Sequence, residues 1–116
     1  MKVGLIGCGD ISPGHLKCYN RIGLEVAGLC DLDVSRAEAR RDEFAPEAPV
    51  FTDYRELLDL PDVDIITVAT PVAAHVPLTV DAMHAGKHVV CEKPSALSLE
   101  ENRRVIEVCE ETGKQV

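Results

Sequence analysis

Apolar and polar positions along the chain alternate between two periods. Short runs rich in Val, Ile, Leu and Cys fall at 2–6, 25–30, 49–51, 64–69 and 88–91. Between them lie longer stretches with apolar residues three and four apart, at 12–22, 34–44, 53–59, 73–85 and 98–112. The first kind predicts strands buried on both faces, the second amphipathic helices. Strict alternation of the two predicts βα units, hence a doubly wound parallel sheet of about five strands with helices on both faces. Capping chemistry agrees with these boundaries. Asp33 precedes the second helix, and Thr52 or Asp53 the third. Ser98-Leu99-Glu100-Glu101 has the spacing of a capping box, and Gly113 stands where a helix end favours a left-handed residue. The last residues, Gly113-Lys114-Gln115-Val116, resemble a turn into a sixth strand that is cut short.

The first strand runs straight into Gly7-Cys8-Gly9-Asp10-Ile11-Ser12, and the second ends at an acid, Asp31. A glycine turn between strand and helix, followed some 20 residues on by a carboxylate at a strand tip, is the spacing of a dinucleotide-binding unit. Gly7 permits the tight turn, and Gly9 lets the backbone approach a pyrophosphate. The helix amides attract the phosphates, and Asp31 accepts the adenosine ribose hydroxyls. Ser12 replaces the third glycine and is small enough for close helix–strand packing. A 2′-phosphate would be repelled by Asp31, so NAD is expected over NADP, although Arg36 lies one turn further on.

Composition narrows the remaining choices. The 116 residues fit one domain, and 46% of them are hydrophobic, the usual share for a globular chain. A formal charge of −8 and only 3% aromatic residues argue against nucleic acid and anionic membranes. No apolar run approaches the ~18 residues of a membrane span. With a strand predicted from residue 2, no signal peptide is expected. Five cysteines without metal or C-x-x-C spacing suit reduced thiols in a cytoplasmic protein, and no metal site is expected.

Two more segments fall at carboxyl ends of predicted strands: Thr70-Pro71 with His75 beyond it, and Cys91-Glu92-Lys93-Pro94. With the glycine turn and Asp31 they would ring one crevice. Lys93, held by a stiff X-Pro backbone, could polarise a carbonyl or alkoxide there, or be a solvated lysine. His75 is equally a helix-start histidine or a cofactor contact. His15 suits a structural role better than a ligand role, and His84 and His88 suit the surface. Cys8 and Cys91 suit buried thiols better than nucleophiles. The acids at 100, 101, 107, 110 and 111 suit a solvated helix face with Arg103 and Arg104 as partners.

Taken together, Gly7-Cys8-Gly9, His15, Cys30-Asp31, Thr70-Pro71, His75, Ala85-Gly86-Lys87-His88-Val89 and Glu92-Lys93-Pro94 resemble the Gfo/Idh/MocA (glucose–fructose oxidoreductase/inositol dehydrogenase) family. The resemblance covers the whole chain. It implies a Rossmann-type nucleotide-binding domain over 1–116 and NAD(P)-dependent oxidoreduction of sugars, polyols or related compounds. It assigns Lys93 to the reacting substrate oxygen beside the nicotinamide, and Glu92 to the nicotinamide edge. Gly7, Cys8, Gly9, Asp10, Ile11, Thr70, Pro71, His75 and Pro94 would line the cofactor, and Asp31 would take the adenosine ribose. It also implies a cis Lys93–Pro94 bond and a separate C-terminal substrate domain absent from these residues, without which the chain is expected to be inactive. A stand-alone dinucleotide-sensing module or a non-catalytic interaction domain would be the alternatives. Loss of a sixth strand would bare the edge of Lys87 to Cys91, and loss of a partner domain would bare Leu99, Val105, Ile106 and Val108. Self-association through that side is therefore expected.

Overall fold

The computed structural model describes all of residues 1–116. Five parallel strands alternate with five helices: β1 Lys2–Ile6, α1 Ser12–Ile22, β2 Glu25–Cys30, α2 Val34–Phe44, β3 Val50–Phe51, α3 Tyr54–Leu58, β4 Ile65–Val68, α4 His75–His84, β5 His88–Cys91 and α5 Leu99–Thr112. The strand order is β3-β2-β1-β4-β5, with β1 central. The chain reverses its direction of travel across the sheet after β3, so the crevice lies between β1 and β4. No helix is long and apolar enough to cross a membrane.

The two faces of the sheet carry two cores. Leu5, Leu16, Leu29 and Ala37 pack beneath α1 and α2, all at 0% exposure. Leu57, Ile66, Ala82, Met83 and Val108 pack on the other face, also at 0%. The second face has a local device. Gly4 and Gly28 sit opposite one another on β1 and β2. A Cβ on Gly28 would stand 2.7 Å from Leu57 Cδ1 and 3.1 Å from Phe51, and one on Gly4 would stand 3.0 Å from Leu57. The paired glycines thus form a notch that receives Leu57, which lets the short α3 lie close against the sheet.

Helix ends follow the expected chemistry. Asp33 and Asp53 accept the Ser35 and Arg55 N–H groups as caps, so Asp53 rather than Thr52 starts α3. Ser98 accepts the Glu101 N–H, while the Glu101 carboxylate reaches back to the Leu97 N–H at 2.7 Å, one residue beyond a standard capping box. Gly23 and Gly113 close α1 and α5 in left-handed conformation.

Three expectations need correction. The helix expected over 73–85 is two pieces: a 3-10 turn, Val72–Ala74, and then α4 from His75. Pro77 lacks the N–H that would have bonded back to Ala73, so one continuous α-helix could not form there. Val105 and Val108 are not part of a bared surface. They are 7% and 0% exposed and belong to the second core, whereas Leu99 and Ile106 do face solvent. Nor is the β5 edge wholly open, because Val89 donates to the Gln115 carbonyl at 2.8 Å and Gln115 donates to His88 Nδ1.

Gly28→Ala is expected to destabilise the fold by about 1–3 kcal/mol, the usual cost of overpacking a filled site. A urea titration followed by circular dichroism measures it. A midpoint equal to that of the unsubstituted chain would contradict the notch.

Candidate dinucleotide site

The site begins where β1 ends. Gly7 has φ +96, a region that side-chain-bearing residues rarely occupy, and a Cβ there would lie 2.5 Å from the Ala69 carbonyl oxygen. Its N–H bonds to Cys30 O at 2.8 Å, and the Ala69 N–H bonds to Ile6 O at 2.8 Å. The turn is thereby wedged between the ends of β2 and β4. Gly9 differs, since a Cβ there would meet nothing within 4 Å. The protein itself does not need glycine at that place, and the space in front of it is free for a ligand.

The chain enters α1 without a cap. Ile11 stands at the N-cap, and no side chain bonds there. The N–H groups of Gly9, Asp10 and Ile11 find no acceptor within the chain, while Ser12 N–H is taken by the Gly9 carbonyl. Three successive free amides at the positive end of an 11-residue helix form a cradle for an anion. Ser12 is fully buried and its hydroxyl donates to Gly9 O at 2.6 Å, so it both allows close packing and braces the turn.

Asp31 lies at the tip of β2, half-buried. Its Oδ2 accepts the Cys8 N–H at 2.7 Å and its Oδ1 the Asp33 N–H at 2.9 Å. Two backbone donors fix the carboxylate against the glycine turn and leave lone pairs directed outward. Cys8, Gly9 and Asp10 then line a cavity of about 220 Å³ with Ser35, Arg36, Ala39 and Arg40 of α2. Arg40 was not singled out by the sequence. Its Nε donates to Ser12 Oγ at 3.1 Å, which brings a guanidinium to the back of the turn. The available signal was helical spacing, which puts Arg36 and Arg40 on one face of α2. Arg36 is drawn to Asp33 at 3.7 Å.

The second rim comes from β4 and β5. Thr70 Oγ1 is buried and has no partner in the protein, an orphan hydroxyl that fits a polar ligand group. Pro71 is exposed beside it. His75 is 2% exposed, with Nε2 2.7 Å from Thr70 O and Nδ1 2.9 Å from Pro94 O. His75 is thus a buried tie between two loops rather than a surface histidine. The Lys93–Pro94 bond is cis. Lys93 and Pro94 are exposed at the mouth, and Glu92 is half-buried behind them. Glu92 Oε1 lies 2.8 Å from His15 Nε2, and that hydrogen bond holds its carboxyl below the usual range.

Three of the five thiols are held protonated by their surroundings. Burial, with the Asp31 charge adding to it, pushes Cys8 up to about 12 and Cys30 up to about 11. Burial also raises Cys91. None is a thiolate near neutrality, and a nucleophilic role for Cys8 or Cys91 is set aside. No cluster of three His, Cys, Asp or Glu side chains is placed to hold a metal ion.

This arrangement matches known proteins over its whole length. Residues 1–116 match the Gfo/Idh/MocA family, described as an oxidoreductase family with an NAD-binding Rossmann fold. Inositol 2-dehydrogenase of Salmonella paratyphi B is 36% identical over 118 residues, covering 100% of this chain and 35% of that protein. A glycosyl hydrolase family 109 protein of Shewanella is 37% identical over 123 residues, covering 98% of this chain and 27% of that one. Among solved structures, the WlbA dehydrogenase of Bordetella pertussis, in complex with NADH and UDP-GlcNAcA, superposes with a TM-score of 0.92 at 30% identity, over 100% of this chain and 37% of that one. A 3-ketoreductase of Actinomadura kijaniata, in complex with NADP and TDP-benzene, gives 0.90 at 32%, over 98% and 35%. The chain spans about a third of the length of these relatives. By fold, by the glycine turn and by sequence along its full extent, this chain belongs to the Gfo/Idh/MocA oxidoreductase family.

Proposed function

We propose that the chain binds a nicotinamide dinucleotide across the carboxyl ends of its strands, NAD in preference to NADP. The observation that carries this reading is the row of unsatisfied amides at Gly9, Asp10 and Ile11 beside a carboxylate, Asp31, immobilised by two backbone donors. The amides receive the pyrophosphate, with Gly7 setting the turn and Cys8 lining it. Asp31 accepts the adenosine ribose hydroxyls. Thr70, Pro71, His75, Glu92, Lys93 and Pro94 border the nicotinamide end.

In this reading the domain is the cofactor-binding part of an oxidoreductase acting on a sugar, polyol or related compound. The bound dinucleotide supplies the hydride acceptor or donor. Lys93 hydrogen-bonds the reacting substrate oxygen and stabilises the charge that develops on it. A further domain, within the greater length seen in the relatives, contributes most substrate contacts. These residues alone then bind cofactor without turning over substrate, because the substrate is not held at near-attack distance. Exposed Val90, Leu97, Leu99 and Ile106 offer the apolar surface for that domain, or for self-association in its absence. Five unpaired thiols fit a reducing, cytoplasmic setting.

Three outcomes test this. Asp31→Ala is expected to weaken NAD binding by about 10–100-fold, the value of a hydrogen bond to a charged acceptor, as read by calorimetry. The unsubstituted chain is expected to bind NAD more tightly than NADP. Equal affinities for the two cofactors, or an Asp31→Ala variant with unchanged affinity, would contradict the assignment of Asp31. Incubation of the chain with NAD and a panel of polyols and sugars is expected to give no NADH absorbance. Turnover dependent on Lys93 would show that the site is complete within these residues.

A further inference from the structure

The segment that carries Lys93 is held from both sides by histidines of other elements. On its amino side, Glu92 uses both carboxylate oxygens. Oε1 meets His15 Nε2 at 2.8 Å and Oε2 accepts the Lys93 N–H at 3.1 Å. On its carboxyl side, the Pro94 carbonyl meets His75 Nδ1 at 2.9 Å, and the other nitrogen of that ring meets the Thr70 carbonyl at 2.7 Å. Lys93 itself stays exposed between the two anchors.

The His15 contact is the more informative of the two. His15 lies in the first turn of α1, the helix whose start offers the free amides, and Glu92 is 77 residues away in sequence at the end of β5. Both side chains are about one-fifth exposed, 20% and 22%, so the pair is partly shielded from water and bonded directly. The hydrogen bond from His15 is the largest influence keeping Glu92 ionised. A carboxylate committed in this way serves as an anchor and is not available as a proton donor. Its geometry also joins the two ends of the site, because the helix that would receive pyrophosphate fixes the turn that would face nicotinamide.

We propose that His15 is a positioning residue, acting through Glu92 to hold Lys93 at the nicotinamide end of the dinucleotide site. This rests on the dinucleotide reading given above. A purely structural α1–β5 contact would affect every ligand of the site alike. A positioning role affects only ligands that reach Lys93.

The test compares NADH with ADP-ribose, which carries the adenosine and pyrophosphate groups but no nicotinamide. Binding to the 116-residue chain is measured by calorimetry for both, and by nicotinamide fluorescence for NADH. His15→Ala is expected to weaken NADH by about tenfold while ADP-ribose stays within about twofold, the difference expected from losing one charge-assisted hydrogen bond at one end of the site. His15→Gln, which can return a donor to Glu92, is expected to recover most of the NADH affinity and its fluorescence. Glu92→Gln, nearly isosteric, is expected to reproduce the selective loss if His15→Ala folds poorly by circular dichroism. Equal loss for both ligands, or no loss for either, overturns the positioning role and leaves the dinucleotide reading standing. Failure of the unsubstituted chain to bind either ligand overturns the dinucleotide reading and this inference with it.

Discussion

The turn at Gly7 is the constraint on which the rest of the site depends. The central strand must stop, leave the sheet and enter a helix while its neighbours on either side end at the same level. Only a residue without a side chain fits, because the Ala69 carbonyl stands 2.5 Å from where a Cβ would be and φ is +96. The reward is registry. Gly7 bonds to the end of β2 through Cys30, and Ala69 at the end of β4 bonds to Ile6. Asp31 and Thr70, each one residue beyond those contacts, are thereby delivered to opposite sides of the same turn. The free amides of Gly9 to Ile11 then project into the gap between them.

Electrostatics at this end of the sheet are local and run against the net charge. The chain carries −8 overall, yet the glycine turn presents unpaired amides, a helix N-terminus and, behind Ser12, the Arg40 guanidinium. Beside them the Asp31 carboxylate is held in place by two backbone donors. An anionic group therefore finds a favourable place beside a fixed acceptor, the pairing that a ribose joined to a pyrophosphate requires. At the opposite end of the sheet lies a larger hollow, about 500 Å³, lined by Lys2, Glu25, Phe44, Pro49, Leu60 and Asp62 among others. Its Lys2 is already bonded to Glu25 at 3.1 Å, and it lies at the amino ends of the strands, away from the carboxyl ends where open α/β sheets bind ligands. Size alone would choose that hollow, whereas unsatisfied hydrogen-bonding groups select the smaller one.

Much of this was legible in the sequence because it is local. Strand and helix periods, the Asp33 cap, the Gly113 stop and the glycine turn are set by residues within one or two turns of each other. Asp31 followed from spacing along a single βαβ unit. What escaped depends on contacts between distant segments. Gly4 and Gly28 are unremarkable until β1 and β2 pair and Leu57 enters their notch. Arg40 becomes part of the site only when α2 packs beside the turn. His15 and His75 looked structural or ambiguous because their partners, Glu92 and Pro94, lie far along the chain. The apolar positions of α5 could not be divided by sequence into those facing α4 and those facing out. Burial of Val105 and Val108, with Leu99 and Ile106 exposed, was decided by packing.

The central claim is that the ligand lies across the carboxyl ends of the strands and nowhere else. Amide chemical-shift mapping by two-dimensional NMR, with NADH titrated into the isotopically labelled chain, tests it most directly. The account predicts saturable shifts at Gly9, Asp10, Ile11, Asp31, Thr70 and Lys93, with the residues around Lys2, Glu25 and Asp62 unmoved. Shifts concentrated at the amino ends of the strands, with the glycine turn silent, would contradict it.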